Sequence, residues 1–131
     1  MLLFGHPLVE SPLFYHINDV DAILHTPPSS LLYLENVVDD KDIIDYCNAN
    51  SLNYGIYAAT LLEAILAHNL QAAYIIVPKE LAKSAQNIAQ EYLFDAKILV
   101  PINDESEIEE LALLGIDGAI FMAKSIVKVS S

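Results

Sequence analysis

The sequence predicts a three-layer α/β sandwich with a mainly parallel five-stranded sheet. Five short apolar runs recur at even intervals, the segments between them repeat with helical spacing, and capping or turn residues mark the ends of those segments. The runs are Leu31 to Glu35, Tyr54 to Ala59, Ala73 to Val77, Lys97 to Val100 and Gly118 to Met122. Each is rich in Ile, Val, Leu, Tyr or Phe and lacks polar alternation, as expected of strands buried on both faces. Their starts lie about 20 residues apart, which leaves room for one helix per crossover, the spacing of βαβ units.

The intervening segments carry helix signals. Asp39 or Asp40 opens the first, with Ile43, Ile44 and Cys47 as its core stripe. Thr60-Leu61-Leu62-Glu63 reads as a capping box, in which the Thr oxygen and the Glu side chain each satisfy an orphan backbone N–H. Pro78 precedes the third, where Leu81, Ala85, Ile88, Ala89 and Tyr92 repeat at helical spacing. Asp104 and Glu107 cap the fourth, and Gly115 is placed to end it in a left-handed turn. Residues 1–30 are less regular. Leu13 to Ile17 suits a further strand, Asn18 suits the cap of a short helix through Leu24, and Thr26-Pro27-Pro28-Ser29-Ser30 reads as a loop. No linker divides the chain, so residues 1–131 are expected to form one domain, with an N-terminal addition at 1–30 and repeated units over 31–131.

Composition narrows the function. Apolar residues make up 54% and charged residues 18% of the 131, a thin polar coat that suggests cover by another subunit. Eighteen acidic residues stand against six lysines and no arginine, giving a net charge of −12. That charge repels phosphate backbones and anionic headgroups, and nothing supplies the bidentate fork that grips phosphate or guanine. Neither nucleic acid nor membrane is an expected partner. Cys47 is the single cysteine, so no intrachain disulfide forms. The first residues lack the basic start and apolar run of a signal peptide, and a cytoplasmic location is expected.

The segment Thr60 to Leu70 differs from its neighbours. The third helix carries Lys79, Glu80, Lys83, Gln86, Asn87, Gln90 and Glu91, a broad wet face. The second carries one carboxylate, Glu63, with His68 and Asn69, and Leu61, Leu62, Ile65 and Leu66 surround much of the rest. A helix apolar nearly all round is buried on more than one side. Its second cover is read either as the same helix of a twofold partner or as residues 1–30.

Ligands of open α/β sheets bind beyond the carboxyl ends of the strands. Those ends offer Glu35, Asn36, Thr60, Lys79, Asn103, Lys124 and Ser125 as a polar rim for a small molecule. Thr60 is accounted for as a helix cap, whereas Glu35 and Lys124 are not needed for one. A lysine desolvated at a strand end can serve as a Schiff-base or general-base amine, so Lys124 and Glu35 are the candidate catalytic pair. Helix starts already hold Asp39, Asp40, Asp42, Glu63, Glu80, Asp104, Glu105 and Glu107, which would repel phosphate, and no Gly-rich loop follows a strand. Among His6, His16, His25 and His68 no pair has i, i+4 spacing. No metal and no cofactor are expected.

The run Glu110-Leu111-Ala112-Leu113-Leu114-Gly115-Ile116-Asp117-Gly118-Ala119-Ile120-Phe121 resembles a late βα unit of phosphate-binding (β/α)8 barrel enzymes. In those families a Gly-rich phosphate loop follows; here Ala123-Lys124-Ser125 stands instead. The 131 residues also fall short of the roughly 250 of a full barrel. The five-unit length and a terminal strand followed by Lys124 resemble response-regulator receiver domains, which makes the expected sheet flavodoxin-like or receiver-like. Receiver domains need an acidic pair after the first strand and an acceptor aspartate after the third. Here Glu35-Asn36 and Val77-Pro78 occupy those places, so phosphorelay is not implied.

The leading functional expectation is a non-catalytic binding or interaction module acting as a homodimer through Leu61, Leu62, Ile65, Leu66, His68 and Asn69. A small lyase or isomerase using Lys124 and Glu35, and a subunit of a hetero-complex, are the alternatives.

Overall fold

In the computed structural model, which describes residues 1–130, eight short strands form one sheet. They are β1 (Leu2–Phe4), β2 (Phe14–His16), β3 (Leu31–Leu34), β4 (Tyr54–Tyr57), β5 (Tyr74–Ile76), β6 (Lys97–Pro101), β7 (Gly118–Ile120) and β8 (Ile126–Lys128). Their spatial order is β1-β7-β6-β5-β4-β3-β2-β8, and every pairing is parallel. Between β3 and β7 each crossover holds one helix: α1 (Lys41–Ala49), α2 (Leu61–Asn69), α3 (Ala82–Glu91) and α4 (Ser106–Leu113).

The five predicted runs became β3 to β7, side by side in chain order. The expected strand count is corrected from five to eight. The segment read as irregular supplies β1 as well as the anticipated β2, and residues after Lys124 supply β8. The length argument assumed a full helix in every crossover. Residues 5–13 join β1 to β2 without one, and a four-residue turn, α5 (Met122–Ser125), joins β7 to β8. The short helix expected after Asn18 is a 3-10 segment at Asp21–His25, whose Ala22 N–H is accepted by Asp19 rather than by Asn18.

The sheet is curled. β1 and β2 stand six places apart in it, about 29 Å if flat at 4.8 Å per strand. The ring centroids of Phe4 and Phe14 nevertheless lie 5.4 Å apart. Curling divides the core in two. Phe4, Phe14, Tyr33, Ile76, Leu99 and Ile120 meet on the inner face. Leu32, Leu34, Tyr54, Ile56, Ile75, Ile98 and Val100 face outward onto helix stripes of Ile43, Ile44 and Cys47, Ala64 and Ala67, and Ala82, Ala85 and Ala89. The sandwich expectation is corrected accordingly: α1 to α4 cover the outer face, and the inner face covers itself. Burial of the strands on both faces is retained.

One helix ending recurs in all four units. Ser51, Gln71, Leu93 and Gly115 have φ of 55°, 71°, 52° and 76°. The N–H of the next residue, Leu52, Ala72, Phe94 or Ile116, then bonds the carbonyl five residues back, on Cys47, Ala67, Ala89 or Leu111. This is the Schellman closure, which favours glycine at the left-handed position. Leu93 is 84% exposed, so its side chain contributes little packing to offset the strain. Leu93→Gly is expected to stabilise the fold by about 1 kcal/mol, seen as a higher urea midpoint with an unchanged slope.

Candidate functional site

The carboxyl ends of the strands open together at one mouth of the curled sheet. His16 on β2 stands in register with Tyr33 on β3, and Tyr33 with Gly55 on β4. Side chains alternate along a strand, so Tyr57 and Glu35, two residues beyond Gly55 and Tyr33, continue the inward set. His16 Nε2 lies 2.9 Å from Glu35 Oε1, with the imidazole 10% exposed and the carboxylate 61%. The His16 and Tyr33 rings meet edge to face, with centroids 5.2 Å apart. Burial, and then the charges of Glu35, Tyr57 and Asp40, push the Tyr33 hydroxyl up to about 12. It therefore stays protonated through the physiological range.

A second imidazole ties the mouth across its other side. The Leu8 N–H donates to His6 Nδ1, which places the ring proton on Nε2, 2.9 Å from Glu105 Oε2. The loop after β1 is thereby fastened to the start of α4.

Most other rim candidates serve the backbone or one another. Asn36 Oδ1 accepts from Val38 and Asp39 N–H. The Thr60 hydroxyl oxygen accepts the Glu63 N–H, and the hydroxyl donates to the Glu63 carboxylate, so Glu63 reaches the Thr side chain rather than its N–H. Lys79 bonds Glu110 at 2.9 Å, which raises its pKa. Backbone N–H groups of Asn103 and Asp104 donate to Glu107 and lower its pKa. Lys124 is exposed, its ammonium 5.8 Å from the Phe121 ring centre. Glu35 pairs with His16 instead. Ser125 Oγ is fully enclosed without a hydrogen-bond partner, at the point where a Cβ on Gly5 would approach to 2.7 Å. Sequence reasoning passed over His16, Tyr33 and Tyr57 as site residues. The available signal was period-two alternation, Phe14–His16 and Leu31–Tyr33–Glu35, which puts polar tips at the end of an inward apolar row.

A different surface lies between α2 and α3. Leu62, Ile65 and Leu66 are 65%, 37% and 40% exposed, so residues 1–30 leave this face of α2 open. Beside them Ile65, His68, Asn69, Ile88, Tyr92 and Phe94 line a groove of about 480 Å³ that carries no carboxylate or lysine. His68 lies flat on Phe94, the centroids 3.9 Å apart and the planes at 4°. Elsewhere among the described residues, no group of three or more His, Cys, Asp or Glu side chains is placed to hold a metal ion. No described helix is long and apolar enough to cross a membrane. Comparison with known proteins leaves the chain unassigned: no protein-family model and no curated protein matches it.

Proposed function

We propose that the protein is a non-catalytic interaction module that acts as a homodimer, joined through α2 and α3. The carrying observation is the exposure of Leu62, Ile65 and Leu66 beside a groove without charged side chains. On a chain of net charge −12, two copies repel each other unless they meet where the charge is absent. The shape also suits a twofold contact, because a ridge, Leu62 and Leu66, lies next to a groove of Ile88, Tyr92 and Phe94. An isologous interface needs both complementary parts on one patch. The single buried thiol, Cys47, fits a reducing cytoplasm.

Light scattering on a gel-filtration column is expected to give twice the chain mass of 14.4 kDa at about 10 μM protein. Leu62→Glu combined with Leu66→Glu is expected to give a monomer with an unchanged circular dichroism spectrum. A wild-type monomer at that concentration, or a dimer that survives the double substitution, overturns the reading. Co-purification of a stoichiometric foreign chain would replace it with the hetero-complex alternative. A lyase or isomerase built on Lys124 and Glu35 draws less support, since Glu35 is engaged by His16 and Lys124 lies over Phe121.

A further inference from the structure

We propose that the carboxyl-end mouth of the curled sheet binds a small organic ammonium ion between Glu35, Tyr33 and Tyr57. This inference is independent of the dimer and concerns a different surface.

Three features select that chemistry. The first is an unpartnered polar group. Tyr33 is 6% exposed, and none of the described residues exchanges a hydrogen bond with its hydroxyl. Ser125 Oγ is the only fully enclosed side-chain polar atom lacking a partner among the described residues. The Tyr33 oxygen therefore opens onto the mouth rather than being sealed in. Nearby, Glu35 directs one carboxylate oxygen at His16 and is otherwise 61% exposed, and its neighbour Asp40 has an oxygen occupied by the N–H groups of Glu35 and Asn36. Glu35 thus keeps a carboxylate oxygen free beside the unpartnered Tyr33 hydroxyl.

The second feature is charge. Glu35 disfavours an anionic ligand, and the chain as a whole attracts cations. Lys128 on β8 stands in register with His16, yet neither it nor Lys124 makes an ion pair with Glu35. A bare metal ion is poorly served, because no described cluster of three suitable ligands exists. An alkylammonium has three N–H donors, which match one carboxylate oxygen and two phenol oxygens.

The third feature is the aromatic surround. Tyr57 is half-buried, and the face of an accessible aromatic ring attracts a cation through its quadrupole. Tyr57 and Met122 are the partly buried apolar side chains that the inner cluster presents at this end, a surface for the ligand's hydrocarbon part. Below, Phe4, Phe14 and Tyr74 fill the interior, their centroids 5.4 to 5.7 Å apart. The ligand is therefore confined to the mouth, and a short side chain suits it better than a long one.

The test titrates the full chain with benzylammonium, and separately with benzoate and tetramethylammonium, at neutral pH and low salt, by nitrogen-15 NMR and calorimetry. Benzylammonium is expected to shift the amides of His16, Tyr33, Glu35 and Tyr57 saturably, benzoate not at all, and tetramethylammonium more weakly because it lacks N–H donors. Glu35→Gln keeps an acceptor for His16 and is expected to weaken binding about tenfold, the effect of losing a charge-assisted bond. Tyr33→Phe is expected to weaken it less, with the Glu35 dependence intact. No saturable shift with benzylammonium, equal binding of benzoate, or full affinity in a folded Glu35→Gln variant each overturns the proposal.

Discussion

Phe14→Ala is expected to destabilise the fold by about 3–5 kcal/mol, the range for an aromatic ring removed from a packed core. The ring is fully buried and holds the curl closed, meeting Phe4 at 5.4 Å and Tyr74 at 5.7 Å. It also explains why β4 carries a glycine. A Cβ on Gly55 would stand 2.6 Å from Phe14 Cε1, so Gly55→Ala is expected to cost about 1–3 kcal/mol by overpacking. Phe14→Leu removes the obstructing edge. The double variant Gly55→Ala with Phe14→Leu should therefore be less destabilised than the two single effects added, by more than about 0.5 kcal/mol. Urea unfolding of the four proteins measures this, and strict additivity would show that the ring and the glycine are not matched.

Stability is expected to fall steeply in alkali. Burial pushes the Cys47 thiol from 9.0 up to about 11, and Tyr33 rises from 10.0 to about 12. Burial moves Tyr54 in the same direction. Above its unfolded pKa, each group loses its proton in the unfolded chain but keeps it in the folded one. Unfolding then releases a proton, so stability is full below pH 9 and declines as pH climbs toward the folded values. For Cys47 the loss amounts to about 2–3 kcal/mol between pH 9 and 11. Cys47→Ala lowers stability at neutral pH through lost packing, yet its stability should fall less steeply over that interval. Urea midpoints from roughly pH 8 to 11 give both slopes, and parallel slopes would exclude the thiol as a cause.

The parts of this fold that sequence conveys are those with repetition. Strands β3 to β7 and helices α1 to α4 announce themselves because each apolar run is followed by a stripe such as Ile43, Ile44 and Cys47, and because caps such as Thr60 and Gly115 sit where the helices begin and end. Leu2–Phe4 and Ile126–Lys128 fall outside the regular strand–helix spacing, because no full helix joins β1 to β2 or β7 to β8, and they pair along the edges that β7 and β2 offer. Curvature was hidden for a related reason. Glycine sits opposite bulk in this sheet: a Cβ on Gly55 would stand 2.6 Å from Phe14 Cε1 and one on Gly118 2.6 Å from Leu99 Cδ2, and the match of Gly55 on β4 with Phe14 on β2 is one that a linear reading does not bring together. At the mouth, Glu35 was visible as an acid without a capping task, whereas its partner was not. His16 joins it only through the β2–β3 register, set by residues 14–16 and 31–33.

The two outermost strands have a consequence for assembly of the chain. Leu2 must find Gly118, and Phe14 must find Ile126, so each of these strands docks against residues far removed in sequence. Such distant closures bear the largest entropy loss and come last, after the central units have grown by neighbour-to-neighbour addition. The same strands exchange their amide hydrogens first when the native state breathes.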